Sequence, residues 1–525
     1  MLNLIIPVNL SRGVPLVRTL LLLVGIAGSW PSLLTAQGGV ARRLERLLDR
    51  RPFNRATWGV LVVDEQGRTV YQRNADRPFV PASTAKLAVT AATSVLLPPD
   101  YRITTSLYDT GPLVDGMLQG DLVVYGRGDP GFGANCYGPD TLAAGVCDRM
   151  WTRMDALADS LAARGVSEVA GSIVGDGSYF DGILVHPDWQ GYDLNWWYAA
   201  PVAALGFNGN SINITWRPGP RAGAPAAIAI EPNLGNFEFE NRTRTTRARS
   251  RRTIDFFRRS GAMFIWGEGA APLDHPGRTE YFALPDPNLY FAQALRAALE
   301  RQGIGVAGPT VATTDPMLYR AARETPALAT FASRPMNDLL YPLLNDSHNW
   351  YAEMLVKLLG RERGEGGSWP AGLEVIRRFL VDSVGTDSSA FDLHDGSGLA
   401  RGNLITPRAM VQLLLYMRAR PDNAAFLHAL PQPGTGTLRD RLLCTSAEGR
   451  LSAKTGSLNE VYSLAGYLER PNGGGYVFDI VANHHTARYA AGVAQIDTLV
   501  LALAGPGMPV RGVASGDRCE PSAGR

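Results

Sequence analysis

The sequence Pro81-Ala-Ser-Thr-Ala-Lys86 joins a strand pattern to an apolar helical pattern. Its lysine is unusual because only three of the 51 basic residues in this 525-residue chain are lysine, and the others are arginine. Arginine stays protonated in proteins, whereas a desolvated lysine can become a neutral base. Ser83 and Lys86 are three positions apart, and such residues share one face of a helix. The stretch therefore predicts a serine nucleophile beside a lysine base.

Two further motifs follow along the chain. Ser347-His-Asn349 opens a helical pattern, and Lys454-Thr-Gly-Ser457 ends a strand pattern. Each motif alone is weak, but S-x-x-K, S-x-N and K-T-G in this order are typical of penicillin-binding proteins and class A β-lactamases. From about residue 40 to about residue 510 the chain resembles the class C penicillin-binding proteins, the D-alanyl-D-alanine carboxypeptidase/endopeptidase family. His348 departs from that pattern, in which Asp is common.

Three other stretches are similar to the same family: Gly175-Asp-Gly-Ser-Tyr-Phe-Asp181, Ala200-Pro-Val-Ala-Ala-Leu205 and Asp395 to Pro407. The first two motif serines are 264 positions apart, which exceeds the spacing in a single-domain β-lactamase. The resemblance implies that additional domains are inserted between them.

The resemblance also implies roles for the first two motifs. Ser83 attacks the carbonyl of a D-Ala-D-Ala bond, and Lys86 accepts its proton if burial or the nearby cation Lys454 lowers the pKa of Lys86. Ser347 relays a proton to the leaving amine. Asn349 orients Lys86 and the substrate backbone.

The third motif is expected to bind the substrate's end. Lys454 and Thr455 would hold the terminal carboxylate, and Gly456 would let the peptide lie along the strand edge. The backbone N–H groups of Ser83 and Ser457 would form the oxyanion hole.

The resemblance also implies a set of residues that bind the third residue of the stem peptide. Asp176, Phe180 and Arg401 are expected to hold its side chain. Asp176 would meet an ammonium and Arg401 a carboxylate, which suits diaminopimelate.

The predicted fold is a multidomain α/β protein with a β-lactamase/transpeptidase-like domain. Strand patterns at 58–64, 69–73, 450–454, 461–468 and 476–483 predict a five-stranded antiparallel sheet with helices on both faces. This catalytic domain is predicted to comprise residues 38–98 and 286–510. Short β-like runs between turn residues predict a large, mainly-β insertion over 99–285, in two subdomains, and 511–525 is a tail.

Residues 1–36 have the order of a secretory signal peptide, so an exported protein of the periplasm or cell envelope is expected, peripheral to the membrane at most. The even cysteine count permits disulfides Cys136–Cys147 and Cys444–Cys519; the alternative is four unrelated buried thiols.

Several other functions are disfavoured. The net charge of +2 argues against a nucleic-acid binder, and no Cys or His spacing indicates a metal site. The family implies no cofactor. The G-x-G-x-x-G string at Gly126–Gly131 falls in a loop pattern. The arginine-rich run 242–259 is interpreted as a solvated face rather than a site for an anionic polymer. Lys357 is likewise interpreted as a solvated residue.

We therefore expect a serine-type D-Ala-D-Ala carboxypeptidase, also acting as a DD-endopeptidase, that trims peptidoglycan stem peptides through an acyl-enzyme on Ser83 and is inhibited by β-lactams. The alternatives are a β-lactamase and a non-catalytic peptidoglycan-binding protein on the same scaffold.

Overall fold

The computed structural model describes residues 31–138, 147–259, 262–471 and 473–506, with the backbone alone for 31–37. The α-helices are α1 (Pro31–Leu48), α2 (Lys86–Leu96), α3 (Thr152–Ala162), α4 (Pro287–Arg301), α5 (Arg320–Arg323), α6 (Met336–Leu344), α7 (Asn349–Arg363), α8 (Trp369–Arg378), α9 (Pro407–Ala419), α10 (Ala424–Ala429) and α11 (Tyr489–Ala504). A π-helical turn, Phe379–Ser383, extends α8, and short 3-10 turns include Ala82–Ala85, Asp193–Asn195 and Trp197–Ala199.

The strands in the described residues are β1 (Thr57–Asp64), β2 (Thr69–Arg73), β3 (Thr104–Asp109), β4 (Leu113–Val114), β5 (Met117–Leu118), β6 (Leu122–Tyr125), β7 (Asn135–Cys136), β8 (Cys147–Asp148), β9 (Glu168–Val169), β10 (Ile173–Asp176), β11 (Ser211–Arg217), β12 (Ala227–Glu231), β13 (Glu238–Thr246), β14 (Asp255–Arg258), β15 (Phe264–Pro272), β16 (Arg278–Ala283), β17 (Gly305–Val306), β18 (Thr310–Thr313), β19 (Ala329–Ala332), β20 (Phe391–Asp392), β21 (Leu404–Ile405), β22 (Leu451–Leu458), β23 (Val461–Glu469) and β24 (Gly475–Asn483).

The predicted five-stranded sheet is confirmed. Its order is β2-β1-β24-β23-β22, every neighbouring pair is antiparallel, and β22 lies at one edge. Both faces are covered, so β1 (Thr57–Asp64) reads as a continuous apolar run rather than an alternating one. Trp58 and Val60 point to the core shared with α1 and α11, whereas Leu61 and Val63 point to the core shared with α2, α6, α7 and α9.

The insertion contains a mixed α/β unit and a β unit. In the first, the strand order is β18-β10-β6-β3-β19, with β10 parallel to β6 and β18, and helices α3 and α4 pack against the sheet. In the second, the two three-stranded sheets β12-β11-β16 and β13-β15-β14 share a core with the first unit. The insertion is therefore less purely β than the sequence pattern indicated.

The predicted boundary at residue 285 differs from the strand pairing. Strand β18 pairs with β10, β19 pairs with β3, and α4 packs on β10. Residues 287–332 thus belong with the insertion, and the catalytic domain resumes at α6. The apolar periodicity of α4 indicates a helix, but periodicity does not reveal which sheet a helix covers.

A disulfide joins Cys136 to Cys147, whose Cα atoms are 4.1 Å apart. Cys444 is also disulfide-bonded, whereas Cys519, its predicted partner, lies outside the described residues.

The predicted signal segment lies outside the described residues up to residue 30, as does the tail 511–525. Within the described ranges, no helix is both long and apolar enough to cross a bilayer.

Candidate active site

Ser83 lies in a tight turn that is fixed against the sheet. The turn is the 3-10 segment Ala82–Ala85, which runs directly into α2. Its first residue has φ +51°, a conformation that non-glycine residues seldom adopt and that recurs at functional sites. The hydroxyl groups of Thr84 and Ser463 both donate to the carbonyl of Pro81, at 2.8 and 2.6 Å. These bonds hold the turn on strand β23.

The amine of Lys86 has three oxygen neighbours. It lies 2.8 Å from Ser83 Oγ, 2.7 Å from Asn349 Oδ1 and 2.7 Å from the carbonyl oxygen of Ser397. A neutral amine has two N–H bonds and one lone pair. Since Asn349 Oδ1 and the Ser397 carbonyl can only accept, they take the two N–H bonds and leave the lone pair for the Ser83 hydroxyl. This arrangement suits a general base.

The electrostatic surroundings favour a neutral fraction. The Lys86 side chain is fully buried, and this burial lowers its pKa from 10.5 to about 7. The carboxylates of Glu353 and Asp395 oppose the shift and raise the pKa. At neutral pH the amine is therefore balanced between its two protonation states.

Asn349 is oriented from the side opposite Lys86. Its Nδ2 donates to the carbonyl of Tyr198 at 2.7 Å, so its Oδ1 must face the lysine. The preceding residue, His348, packs its ring 5.4 Å from that of Trp197. Burial and the nearby Lys86 lower the pKa of His348 to about 4, which keeps the imidazole neutral at physiological pH.

The second serine pairs with the second motif lysine. Lys454 Nζ donates to Ser347 Oγ and to the Thr455 carbonyl, both at 2.8 Å. Ser347 has φ +60°, so this serine too is held in a rarely populated backbone conformation. Burial and the charge of Lys86 lower the pKa of Lys454 well below its usual value.

Strand β22 brings the third motif against the turn that carries Ser83. A Cβ built on Gly456 would lie 2.7 Å from the Pro81 carbonyl oxygen and 3.1 Å from Ser83 N. Only a glycine leaves room for this approach. Ser457 is exposed at the sheet edge, and Thr455 Oγ1 donates to Thr437 Oγ1 at 2.7 Å. The three sequence motifs therefore meet in one cleft.

Two of the residues predicted for the stem-peptide side chain have structural partners instead. Asp176 is fully buried, forms an ion pair with Arg323 and accepts from Ser178 N. Phe180 is 3% exposed and packs on Gly128. Neither side chain is available to a ligand without disrupting the core. Arg401 differs, because it is exposed and donates to the Asn459 carbonyl just beyond β22.

Sequence reasoning missed a buried acidic group behind Lys86. Glu353 accepts from the backbone N–H groups of Gly396 and Ser397 and from Trp369 Nε1. It therefore fixes the backbone immediately before the Ser397 carbonyl that faces Lys86. The signal was present, because Glu353 follows Asn349 by four positions in an apolar helical run, and such spacing shares a helix face.

Asp395 fixes the same loop from its other side. Its carboxylate accepts from Gly398 N, Ala400 N and Trp189 Nε1 at 2.7 to 2.9 Å. The stretch 395–407 was recognised from its resemblance alone. What it contributes to Lys86 is a backbone carbonyl, which no side-chain pattern reveals.

The prediction that Lys357 is solvated is wrong. Its side chain is fully buried, and its Nζ lies 2.6 Å from Asp181 Oδ1 and 2.6 Å from the Ile183 carbonyl. The amine also lies 3.9 Å from the centre of the Trp369 ring. Lys357 follows Glu353 by four positions, so the polar face of α7 points inward.

Comparison with known proteins agrees with this geometry. The D-Ala-D-Ala carboxypeptidase 3 (S13) family matches residues 40–503. A D-alanyl-D-alanine carboxypeptidase of Actinomadura sp. (strain R39) is 31% identical over 493 residues, which cover 90% of this chain and 87% of the relative. The D-alanyl-D-alanine carboxypeptidase DacB of Haemophilus influenzae is 24% identical, covering 78% and 81%.

The fold is shared with a solved structure. The crystal structure of penicillin binding protein 4 from Haemophilus influenzae matches with a TM-score of 0.74 at 22% identity, covering 87% of this chain and 98% of that one. The resemblance inferred from the three motifs is confirmed: the chain belongs to the D-Ala-D-Ala carboxypeptidase 3 (S13) family and is a DD-peptidase.

Proposed function

We propose that Ser83 is the nucleophile of a serine-type D-Ala-D-Ala carboxypeptidase that trims peptidoglycan stem peptides. The observation that supports the proposal most strongly is the position of the Lys86 amine. It is buried, its pKa is about 7, and it lies 2.8 Å from Ser83 Oγ. The family acts on the bacterial cell wall, so the enzyme works in the cell envelope. A periplasmic location after export is part of the proposal.

Acylation follows from the contacts of the three motifs. Neutral Lys86 takes the proton of Ser83 while Oγ attacks the carbonyl of the penultimate D-alanine. The backbone N–H groups of Ser83 and Ser457 stabilise the oxyanion, and losing one such donor costs roughly 10²–10³ in rate. The C–N bond breaks, and Ser347 relays to the departing amine of D-alanine the proton that Lys86 took, which leaves Lys86 neutral again to accept a proton from the attacking water. Water then attacks the ester and restores the Ser83 hydroxyl.

Recognition of the free carboxylate is assigned to Lys454 and Thr455. Burial disfavours the charge on Lys454 in the free enzyme. A substrate carboxylate supplies the missing counter-charge, so its binding and the protonation of Lys454 favour each other. The open edge of β22 would carry the stem peptide as an added strand. Arg401, exposed beyond the end of this strand, keeps its proposed role toward a side-chain carboxylate.

The same acyl-enzyme supports two further parts of the proposal, which are DD-endopeptidase action on cross-linked peptides and inhibition by β-lactams. Both place the acyl group on Ser83, and they differ in the amine: it departs from a cross-linked peptide but stays attached to the acyl group when a β-lactam ring opens. A cross-linked muropeptide and an uncross-linked one, digested side by side, separate the endopeptidase from the carboxypeptidase reaction.

Intact-mass measurement after mixing with penicillin tests the proposal. A lasting adduct that is absent from Ser83→Ala supports the peptidase, rapid loss of the adduct indicates a β-lactamase, and no adduct indicates a non-catalytic binder. The Ser83→Ala variant is also expected to lose turnover of D-Ala-D-Ala peptides. Ser94→Ala, on the same helix α2, is the matched control and should acylate normally. Retained turnover in Ser83→Ala shows that the nucleophile is misassigned.

A further inference from the structure

A groove of about 610 Å³ lies next to the catalytic cleft. One wall is the aromatic segment Tyr192–Tyr198, and the other is formed by Arg252–Phe256, where β14 starts, and by Arg278–Tyr281 of β16. We call it the aromatic groove. None of the three catalytic motifs contributes a residue to its walls.

The aromatic groove and the catalytic cleft share a wall. The carbonyl of Tyr198 accepts the hydrogen bond that orients Asn349, and the ring of Trp197 packs edge-on against that of His348. A polymer that places one of its branches in the catalytic cleft therefore has this groove as its adjoining surface.

The groove is preformed. Trp196 makes a β-bridge to Phe282, and their rings pack 5.8 Å apart. Arg258 donates to the carbonyls of Leu194 and Ala283, which ties the aromatic segment to β16. Arg258 belongs to the arginine-rich run and is half-buried, so this one member of the run is structural. A rigid wall reduces the entropy lost on binding.

The chemistry of the lining indicates a neutral ligand with both flat apolar faces and many hydroxyl groups. Tyr192 and Tyr281 are 53% and 47% exposed, so their rings are accessible to a ligand in the groove. The charges within the walls balance, because the two arginines, Arg252 and Arg278, are matched by two carboxylates, Asp255 and Glu280. Arg278 lies 3.3 Å and Arg252 lies 3.7 Å from Glu280. Aromatic faces stack on sugar rings, and the polar groups between them can bond hydroxyl and acetamido groups.

We propose that the aromatic groove binds the amino-sugar glycan strand to which the stem peptide is attached. This rests on the proposed function, because it takes peptidoglycan as the substrate of Ser83. The glycan then anchors the peptide, and the enzyme prefers stem peptides that are still joined to sugar.

The test compares a stem pentapeptide alone with the same pentapeptide attached to its disaccharide. Attachment is expected to raise kcat/KM about tenfold in the wild type, equivalent to ~1.4 kcal/mol. Tyr281→Ala should abolish that gain and leave turnover of the free peptide unchanged, while Tyr281→Phe should keep it. Tyr489→Ala removes a tyrosine that is 64% exposed on α11 and is the matched control.

A second measurement separates failure of this inference from failure of the proposed function. Glycan chains stripped of peptide are titrated against Ser83→Ala protein with and without Tyr281→Ala. Binding that Tyr281→Ala weakens supports the groove even if no peptide is cleaved. Equal turnover of free and sugar-linked peptide, together with no glycan binding, overturns the inference and leaves the peptidase intact. An equal gain from a longer peptide without sugar also overturns it, because the groove then binds peptide.

Discussion

The amine of Lys86 lies 2.8 Å from Ser83 Oγ, and the lysine side chain is fully buried. Two other acceptors, on Asn349 and Ser397, occupy the remaining directions around it. The geometry thus defines where a proton leaves and where it goes, and burial brings the lysine pKa to about 7. The reactivity of the site should depend on pH in a way set by this one amine.

We expect the rate of Ser83 acylation to rise with pH and to level off above about pH 7. Below that value Lys86 is protonated and cannot accept the Ser83 proton; above it the neutral form predominates. Stopped-flow acylation by a β-lactam, measured between about pH 5 and about pH 9, checks the midpoint. Lys86→Arg is the control, since arginine keeps its proton throughout and should be inactive at every pH. A rate that is flat across this range would contradict the assignment.

Gly456→Ala is expected to slow acylation by about 10²–10³-fold, as expected for a damaged oxyanion hole. The added methyl would meet Ser463 Oγ at 2.2 Å and the Pro81 carbonyl oxygen at 2.7 Å, so β22 must move away from the Ser83 turn. The measurement is kcat/KM on a D-Ala-D-Ala peptide, which reports the acylation step, together with a thermal melt. Gly366→Ala is the control because nothing lies within 4 Å of its added methyl. Equal effects from the two substitutions would show that the close contact between Gly456 and the Ser83 turn is not required for acylation.

The sequence predicted the catalytic sheet and the meeting of the motifs because both depend on local patterns. Period-two and continuous apolar runs define β1 and β24, and the spacing of Ser83 and Lys86 defines their shared face. The apolar helical pattern that follows Ser83 corresponds to α2, although Ser83 itself lies in a 3-10 segment that precedes it. That turn is held by bonds to Pro81 from strand β23, which local pattern does not reveal.

What the sequence did not predict depends on partners distant in the chain. Asp176 looked available for a ligand, but Arg323, 147 positions later, pairs with it. Lys357 was interpreted as a solvated residue, yet its side chain is fully buried and pairs with Asp181 of the insertion. The predicted boundary at residue 285 divides one sheet for the same reason, since β18 and β19 pair with β10 and β3, which lie much earlier in the chain.

Glu353→Gln should move the acylation midpoint to lower pH. The Glu353 carboxylate raises the pKa of Lys86, whereas burial lowers it. Removing the carboxylate therefore lets the pKa of Lys86 fall further. The amide keeps one oxygen to accept from Gly396 N or Ser397 N, so we expect a loss of about 1–3 kcal/mol in stability. The pH profile separates the two effects, because a merely structural role lowers the rate without moving the midpoint. An unchanged or raised midpoint would contradict the electrostatic role.

Lys357→Met is expected to lower the free energy of unfolding by about 1–3 kcal/mol, because it leaves the partly buried Asp181 carboxylate and the Ile183 carbonyl without their donor. Denaturant unfolding at neutral pH measures this loss. The double variant Lys357→Met with Asp181→Asn should recover part of it, since the uncompensated charge is then gone. Arg420→Ala removes an exposed partner of Asp422 and should cost at most about 1 kcal/mol. If Lys357→Met costs no more than Arg420→Ala, the ion pair behind Trp369 does not support α7.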